Sequence, residues 1–286
     1  MGQVTEPLIR NVSDTARWVA TYRAIETARS DALFRDPFAD RLAGERGRQI
    51  VKLLPRGEES AWAMAVRTVV FDEMILAAIE RGADAVLNLA AGFDARPYRL
   101  PLRPDFVWFE ADLPPLLAEK EEALAGEKPV CRLERRAVDL ADRDARTALF
   151  SEVAAAGKNV FVLSEGLITY LSTEQVKGLA KDLHAAGTLR GWAFDMASPL
   201  LLKMANRTWK KHMTEAPLQF APSSGERFFA GYGWRAAEIR YSLEEGERLN
   251  RLPSFGRFAR ASWRVMPEVL RRPFRKMGKF VRLERA

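Results

Sequence analysis

Between Ala85 and Asp195 short apolar runs alternate with amphipathic stretches, and this alternation constrains the fold more than any other feature. The runs are Ala85–Leu89, Phe106–Phe109, Cys131–Val138, Asn159–Leu163 and Gly191–Asp195, separated in part by helix-like segments at Pro114–Leu124, Asp144–Ala156 and Thr173–Ala186. Apolar runs this short suit buried strands. Their alternation with helices predicts an α/β fold: a mainly parallel sheet covered by helices on both faces.

The flanks extend this core. Helices are expected at Val12–Glu26, behind the caps Ser13 and Asp14, at Leu33–Gln49 after Pro37, and at Ser60–Arg81, which Gly82 ends. Beyond Ser198 come a helix-like Leu200–His212, a loop with Pro217, Pro222 and Gly225, and two further strands, Trp234–Tyr241 and Lys279–Leu283.

Several function classes are excluded or disfavoured. One cysteine, Cys131, permits no intramolecular disulfide. The two histidines, His184 and His212, lie neither in an H-E-x-x-H pattern nor near Cys131, so no catalytic metal is expected. Met1–Arg10 lacks a basic segment leading into an apolar run, and no stretch reaches a membrane span, so a cytoplasmic protein without a membrane partner is expected.

The net charge of +7 is unevenly placed, because residues 251–286 hold 11 Lys/Arg against 2 Asp/Glu. Such a tail could attract nucleic acid, with Arg271–Lys279 as its densest cluster. Phe255, Phe258, Trp263, Val265, Val269, Leu270 and Phe274 make it read as a folded, solvated basic face instead, so a nucleic-acid partner is disfavoured. The oligomeric state stays open.

Open α/β sheets bind ligands beyond the carboxyl ends of their strands. Four such ends carry small or polar residues. At Ala90-Ala91-Gly92 the small side chains allow close backbone approach. Glu110 and Asp112 follow Gly92 by 18 and 20 residues, near the interval at which a carboxylate accepts ribose hydroxyls. Asp139 can accept from an adenine amino group while the Leu140 amide donates to a ring nitrogen; taken alone, Asp139 serves equally well as a helix cap. Ser164-Glu165-Gly166 puts a carboxylate at the mouth of the sheet, facing a sulfonium or amino group. A nicotinamide dinucleotide is the natural rival, but the loop holds one of the three glycines of G-x-G-x-x-G and no Tyr-x-x-x-Lys pair occurs.

Three stretches then carry a family resemblance: NLAAGFDARPYRL at Asn88–Leu100, FEADLP at Phe109–Pro114 and LSEGLITYLS at Leu163–Ser172 resemble the leucine carboxyl methyltransferase family. Its bacterial branch, which includes polyketide O-methyltransferases, is the closer likeness, and Ser13–Gly44 and Gly231–Ile239 are similar to other parts of it. The resemblance implies a class I methyltransferase sheet of seven strands with the last antiparallel, an N-terminal helical cap, and S-adenosyl-L-methionine as cofactor. It would put the cofactor carboxylate near Arg67, the methionine portion at Ala90 and Gly92, the ribose at Asp112, the adenine at Asp139 and Leu140, and the amino group near Glu165. A single domain follows, divided as cap 1–82, cofactor-binding core 83–197, variable substrate lid 198–231, and C-terminal strands with the basic tail 232–286. Ala90 replaces the first glycine of the family's Leu-Gly-Ala-Gly loop, and alanine reaches positive φ only at a cost.

Methyl transfer requires alignment and exclusion of water more than an elaborate constellation. A carboxylate acceptor needs no base, whereas a hydroxyl does. Tyr170, Asp195 and His212 are the candidates for acceptor positioning or base work, and Trp18, Tyr22, Trp209, Phe220, Phe228 and Phe229 the candidate walls for a small-molecule acceptor. The other readings left open are a nucleic-acid-modifying methyltransferase and a catalytically degenerate cofactor-binding protein.

Overall fold

The computed structural model describes residues 8–209, 218–252 and 267–286. Seven strands form one sheet: β1 (Ala85–Leu89), β2 (Val107–Asp112), β3 (Arg132–Ala137), β4 (Val160–Ser164), β5 (Leu189–Ala197), β6 (Trp234–Tyr241) and β7 (Gly278–Arg285). Their spatial order is β3-β2-β1-β4-β5-β7-β6. The pairs from β3 through β5 are parallel, while β7 runs antiparallel to both β5 and β6. The expected α/β class, seven strands and antiparallel last strand are therefore present.

Side chains alternate across the sheet, so each buried strand feeds two layers. Leu87, Phe109, Val160 and Val162 face α6 (Arg143–Ala156) and α7 (Thr173–Ala185), where Leu149, Phe150, Val176 and Leu183 complete one core. Val86, Trp108, Phe161 and Leu163 face α3 (Ala61–Glu80) and its Val66, Val70, Phe71 and Met74. Burial on both faces explains why β1 and β4 read as mostly apolar runs, interrupted by Asn88 and ended by Ser164. Helix α3 is thus a sheet-covering helix, whereas α1 (Val12–Thr27) and α2 (Ala39–Leu53) pack on each other.

The helix expected over Leu33–Gln49 begins only at Ala39. Before it, the Asp36 carboxylate accepts from the Phe38 amide in a turn, and inside it Gly44 kinks the chain at φ +58°. The sequence reading also missed the short helices α4 (Arg96–Arg99) and α9 (Ser242–Arg248). Helix α5 spans Pro114–Ala123, α8 Pro199–Trp209 and α10 Glu268–Arg275. No described helix is long and apolar enough to cross a membrane.

Part of the basic tail is ordinary fold. Arg251 is buried and pairs with Glu26 at 3.1 Å, and Arg282 on β7 pairs with Glu238 at 3.1 Å. Phe255, Phe258, Trp263 and Val265 lie outside the described residues.

Candidate active site

The chain winds from β1 outward through β2 to β3, then returns to place β4 and β5 on the other side of β1. The crevice at this reversal is where open α/β sheets bind ligands, and a cavity of about 250 Å³ occupies it. Its floor is the loop after β1, its sides are Asp112 at the end of β2 and Glu165 after β4, and its roof is α1.

The loop is built by two left-handed residues, Ala90 at φ +52° and Gly92 at φ +50°. Such a residue with a Cβ costs about 1 to 2 kcal/mol, so Ala90 carries strain that glycine would not. The turn aims the Gly92 amide at Asp112, whose Oδ2 accepts it at 2.7 Å, while Oδ1 accepts the Leu113 amide at 2.7 Å. Each carboxylate oxygen keeps further acceptor capacity, the requirement for holding a vicinal diol. Burial outweighs these two backbone donors and pushes the Asp112 carboxyl above its usual range.

Across the cavity, Glu165 receives Arg67 of α3, with Nε to Oε1 at 2.8 Å. Its Oε2 lies 2.8 Å from Arg96 Nη1, yet this buried oxygen accepts no hydrogen bond among the described residues. Burial alone would raise the Glu165 carboxyl; Arg96 and Arg67 overcome it and hold the group ionised, below the usual range. Behind it, buried Arg96 also pairs with Asp94 and Asp72, each at 2.6 Å. Asp94 fixes the loop from beneath by accepting the Arg96 amide and the Asn88 side chain, both at 2.8 Å.

Tyr170 lines the cavity, and burial pushes its hydroxyl up to about 12 even with Arg67 opposing. Asp195 accepts the Gly166 amide at 2.6 Å and lies 3.7 Å from Arg67 Nη1, so it braces the turn after β4. Burial raises the Asp195 carboxyl more than Arg67 lowers it.

The structure therefore brings Arg67, Ala90, Gly92, Asp112, Glu165 and Tyr170 around one cavity, with Asp195 beside it. Glu110 is a correction. Fully buried, it pairs with Lys120 of α5 at 2.7 Å and with Arg135 of β3 at 3.0 Å, which occupies both its oxygens in holding the sheet edge. Asp139 and Leu140 do not line the cavity. Asp139 is exposed and accepts the Ala141 amide, but the Val138 amide bonds to the Asp112 carbonyl, so their loop adjoins the end of β2. His212 lies outside the described residues.

The aromatic walls are a second correction. Trp18 and Tyr22 pack inward with Ile50 and Leu54, while Phe220 and Phe229 join the sheet core beside Trp192 and Phe194, because large apolar rings gain more from full burial than a half-open cavity offers. Phe228 stacks on that cluster, and the Trp209 side chain is outside the description. Helix α1 does wall the cavity, through Val12, Thr15, Ala16, Val19 and Arg23, one stripe at helical spacing. Sequence reasoning also missed Asp94 and Arg96, although both stand in the Asn88–Leu100 motif; nothing in the sequence marked Arg23.

Comparison with known proteins agrees with this architecture. The profile described as leucine carboxyl methyltransferase matches residues 16–184, more than half of the chain. The chain belongs to this family. A Parafrankia protein named "Putative S-adenosyl-L-methionine-dependent methyltransferase Franean1_4929" is 34% identical over 252 residues, covering 80% of this chain and 78% of its own length. A Mycobacteroides abscessus protein named "Putative S-adenosyl-L-methionine-dependent methyltransferase" is 38% identical over 177 residues, 57% of this chain and 59% of its own, so the match spans less than two thirds of that relative. A Thermobifida fusca crystal structure described as a "putative methyltransferase" superposes with a TM-score of 0.56 at 15% identity, covering 94% of each chain, which is a likeness of fold. The cofactor expected from the sequence, S-adenosylmethionine, is the one these relatives' names carry.

Proposed function

We propose that this chain transfers a methyl group from S-adenosylmethionine to an oxygen, carboxylate or hydroxyl, of a small-molecule acceptor. The observation that carries the reading is Asp112, a buried carboxylate with spare acceptor capacity on both oxygens, facing a left-handed loop that admits a ligand to the backbone. Bound here, S-adenosylmethionine would supply an electrophilic methyl group on its sulfonium.

The chain's own groups bind and orient. Asp112 accepts from the ribose hydroxyls, the backbone at Ala90 and Gly92 approaches the methionine portion, and Glu165 Oε2, lacking a hydrogen bond in the structure, accepts from the amino group. Arg67 attracts the carboxylate, although Glu165 already engages its Nε. Asp139 and Leu140 approach the adenine from the loop beside β2. Val12, Ala16 and Val19 exclude water from above.

The carboxylate branch needs no base, whereas the hydroxyl branch would need one such as Asp195, whose carboxyl is raised by burial. Arginines hold Asp94 and Glu165 ionised, which makes both weak bases, and the Tyr170 hydroxyl stays protonated near neutral pH. Tyr170 in this reading donates a hydrogen bond to the acceptor, and Asp195 is a positioning residue acting through Gly166 and Arg67. The division into cap, core, lid and C-terminal strands belongs to the same proposal, with α3 counted in the core.

Calorimetric titration with S-adenosylmethionine and S-adenosylhomocysteine, with NAD as a control, tests it. Micromolar binding of the first two that Asp112→Ala weakens at least tenfold is expected, the size of a lost charged hydrogen bond. Absence of binding by both ligands overturns the reading.

A further inference from the structure

At the opposite end of the sheet lies a second cavity, of about 340 Å³. It sits near the amino ends of β1 and β4, on the order of 15 Å from the first at about 3.3 Å per strand residue. Arg81 from the end of α3, Arg190 from the start of β5, and Arg282 and Arg285 from β7 surround it, over a floor that includes Phe161. Gly191 keeps that floor close-packed, since a Cβ there would lie 2.9 Å from the Phe161 ring.

One acid, Glu284, stands among the four arginines. Its carboxylate accepts from Arg282 and, at 3.0 Å, from Arg235. Arg285 bonds to the His184 carbonyl at 2.7 Å and Arg190 reaches the Lys158 carbonyl at 3.4 Å, both neutral acceptors. Burial and the neighbouring charge of Arg190 depress Arg285, and Glu284 also feels Arg81, so one lining carboxylate faces several guanidiniums.

We infer that this concavity is a binding site for a compact oligophosphate, held by Arg81, Arg190 and Arg285. Several guanidinium forks converging on one concavity match the many oxygens of a phosphate chain better than a single carboxylate. The volume falls in the range of small-ligand pockets. The site shares no residue with the methyltransferase cavity, so it stands independently of the activity proposed above.

Titration of the full chain with inorganic tripolyphosphate and with ATP, at low ionic strength, is the test. Saturable binding of one tripolyphosphate is expected, weakened at least tenfold by Arg190→Glu or Arg81→Glu, both at exposed positions, and unchanged by Arg48→Glu on the far helix α2. Equal affinity for the two ligands supports a site for the phosphate chain alone, and tighter binding of ATP supports a nucleotide site. Non-saturable binding, equal loss in Arg48→Glu, or competition by S-adenosylhomocysteine overturns the inference.

Discussion

Arg67 and Glu165 are 98 residues apart in sequence and 2.8 Å apart in space, joining α3 to the turn after β4. The pair ties a helix on one face of the sheet to the carboxyl edge where the cavity opens. With Arg96 on its other oxygen, Glu165 sits between two arginines that Asp195, Asp72 and Asp94 also face.

Removing the Glu165 charge should be visible in stability and its pH dependence. Glu165→Gln removes one of the carboxylates facing two buried guanidiniums, leaving Asp195 to Arg67 and Asp94 and Asp72 to Arg96, and is expected to cost about 2 kcal/mol near neutral pH. The folded carboxyl is depressed, so its contribution is full above the ordinary value of 4.5 and is lost as pH falls through the lower folded value. Urea midpoints of the two proteins should converge below pH 4.5; a constant gap from neutral to acid contradicts the assignment.

Ala90→Gly should stabilise the chain. Relief of the left-handed conformation at φ +52° exceeds the added unfolded-state freedom by about 0.5 to 1 kcal/mol. Urea unfolding with an unchanged slope reads this directly, and S-adenosylhomocysteine binding should tighten with it.

Gly166→Ala should do the reverse. The residue sits at φ +68°, and a Cβ would lie 3.3 Å from Arg67 Nη1. A loss of about 1 to 2 kcal/mol is expected, together with weaker cofactor binding as Arg67 gives way. Wild-type affinity in this variant would show that Arg67 does not hold the cofactor.

The Glu110–Lys120 pair is structural. Lys120→Met should cost about 2 kcal/mol, because it leaves the fully buried Glu110 carboxylate with Arg135 alone. The double variant Glu110→Leu/Lys120→Met should recover most of that loss and still bind S-adenosylmethionine. Loss of binding in the folded double variant would return Glu110 to the cofactor site.

Much of this architecture was legible because burial writes itself locally. Short, mostly apolar runs at Ala85–Leu89 and Asn159–Leu163 read as strands covered on both sides, and the observed β1 and β4 match them within a residue. Ala90 was legible through the family resemblance, which has glycine where the turn demands positive φ. Asp112 was marked by its distance from Gly92.

Glu110 shows where local reading stops. It shares the acidic motif and the strand parity of Asp112, but whether a carboxylate meets a ligand or a lysine depends on what α5 and β3 bring to it, and those partners lie 10 and 25 residues away. Trp18 and Tyr22 teach the same lesson for α1, since the face that walls the cavity is set by how α2 docks, not by which residues are aromatic.

The sequence by itself determined the order of the seven strands and the longer helices, the α/β class and the acidic residue at the end of β2, because backbone propensity and two-sided burial act over a few residues. Tertiary structure alone decided that Arg67 and Arg96 meet Glu165, Asp94, Asp72 and Asp195 in one ion-pair cluster, that Glu110 belongs to the sheet edge, and that four arginines from α3, β5 and β7 converge at the far end. Those outcomes rest on Coulombic and packing contacts between distant segments, which only the folded chain brings together.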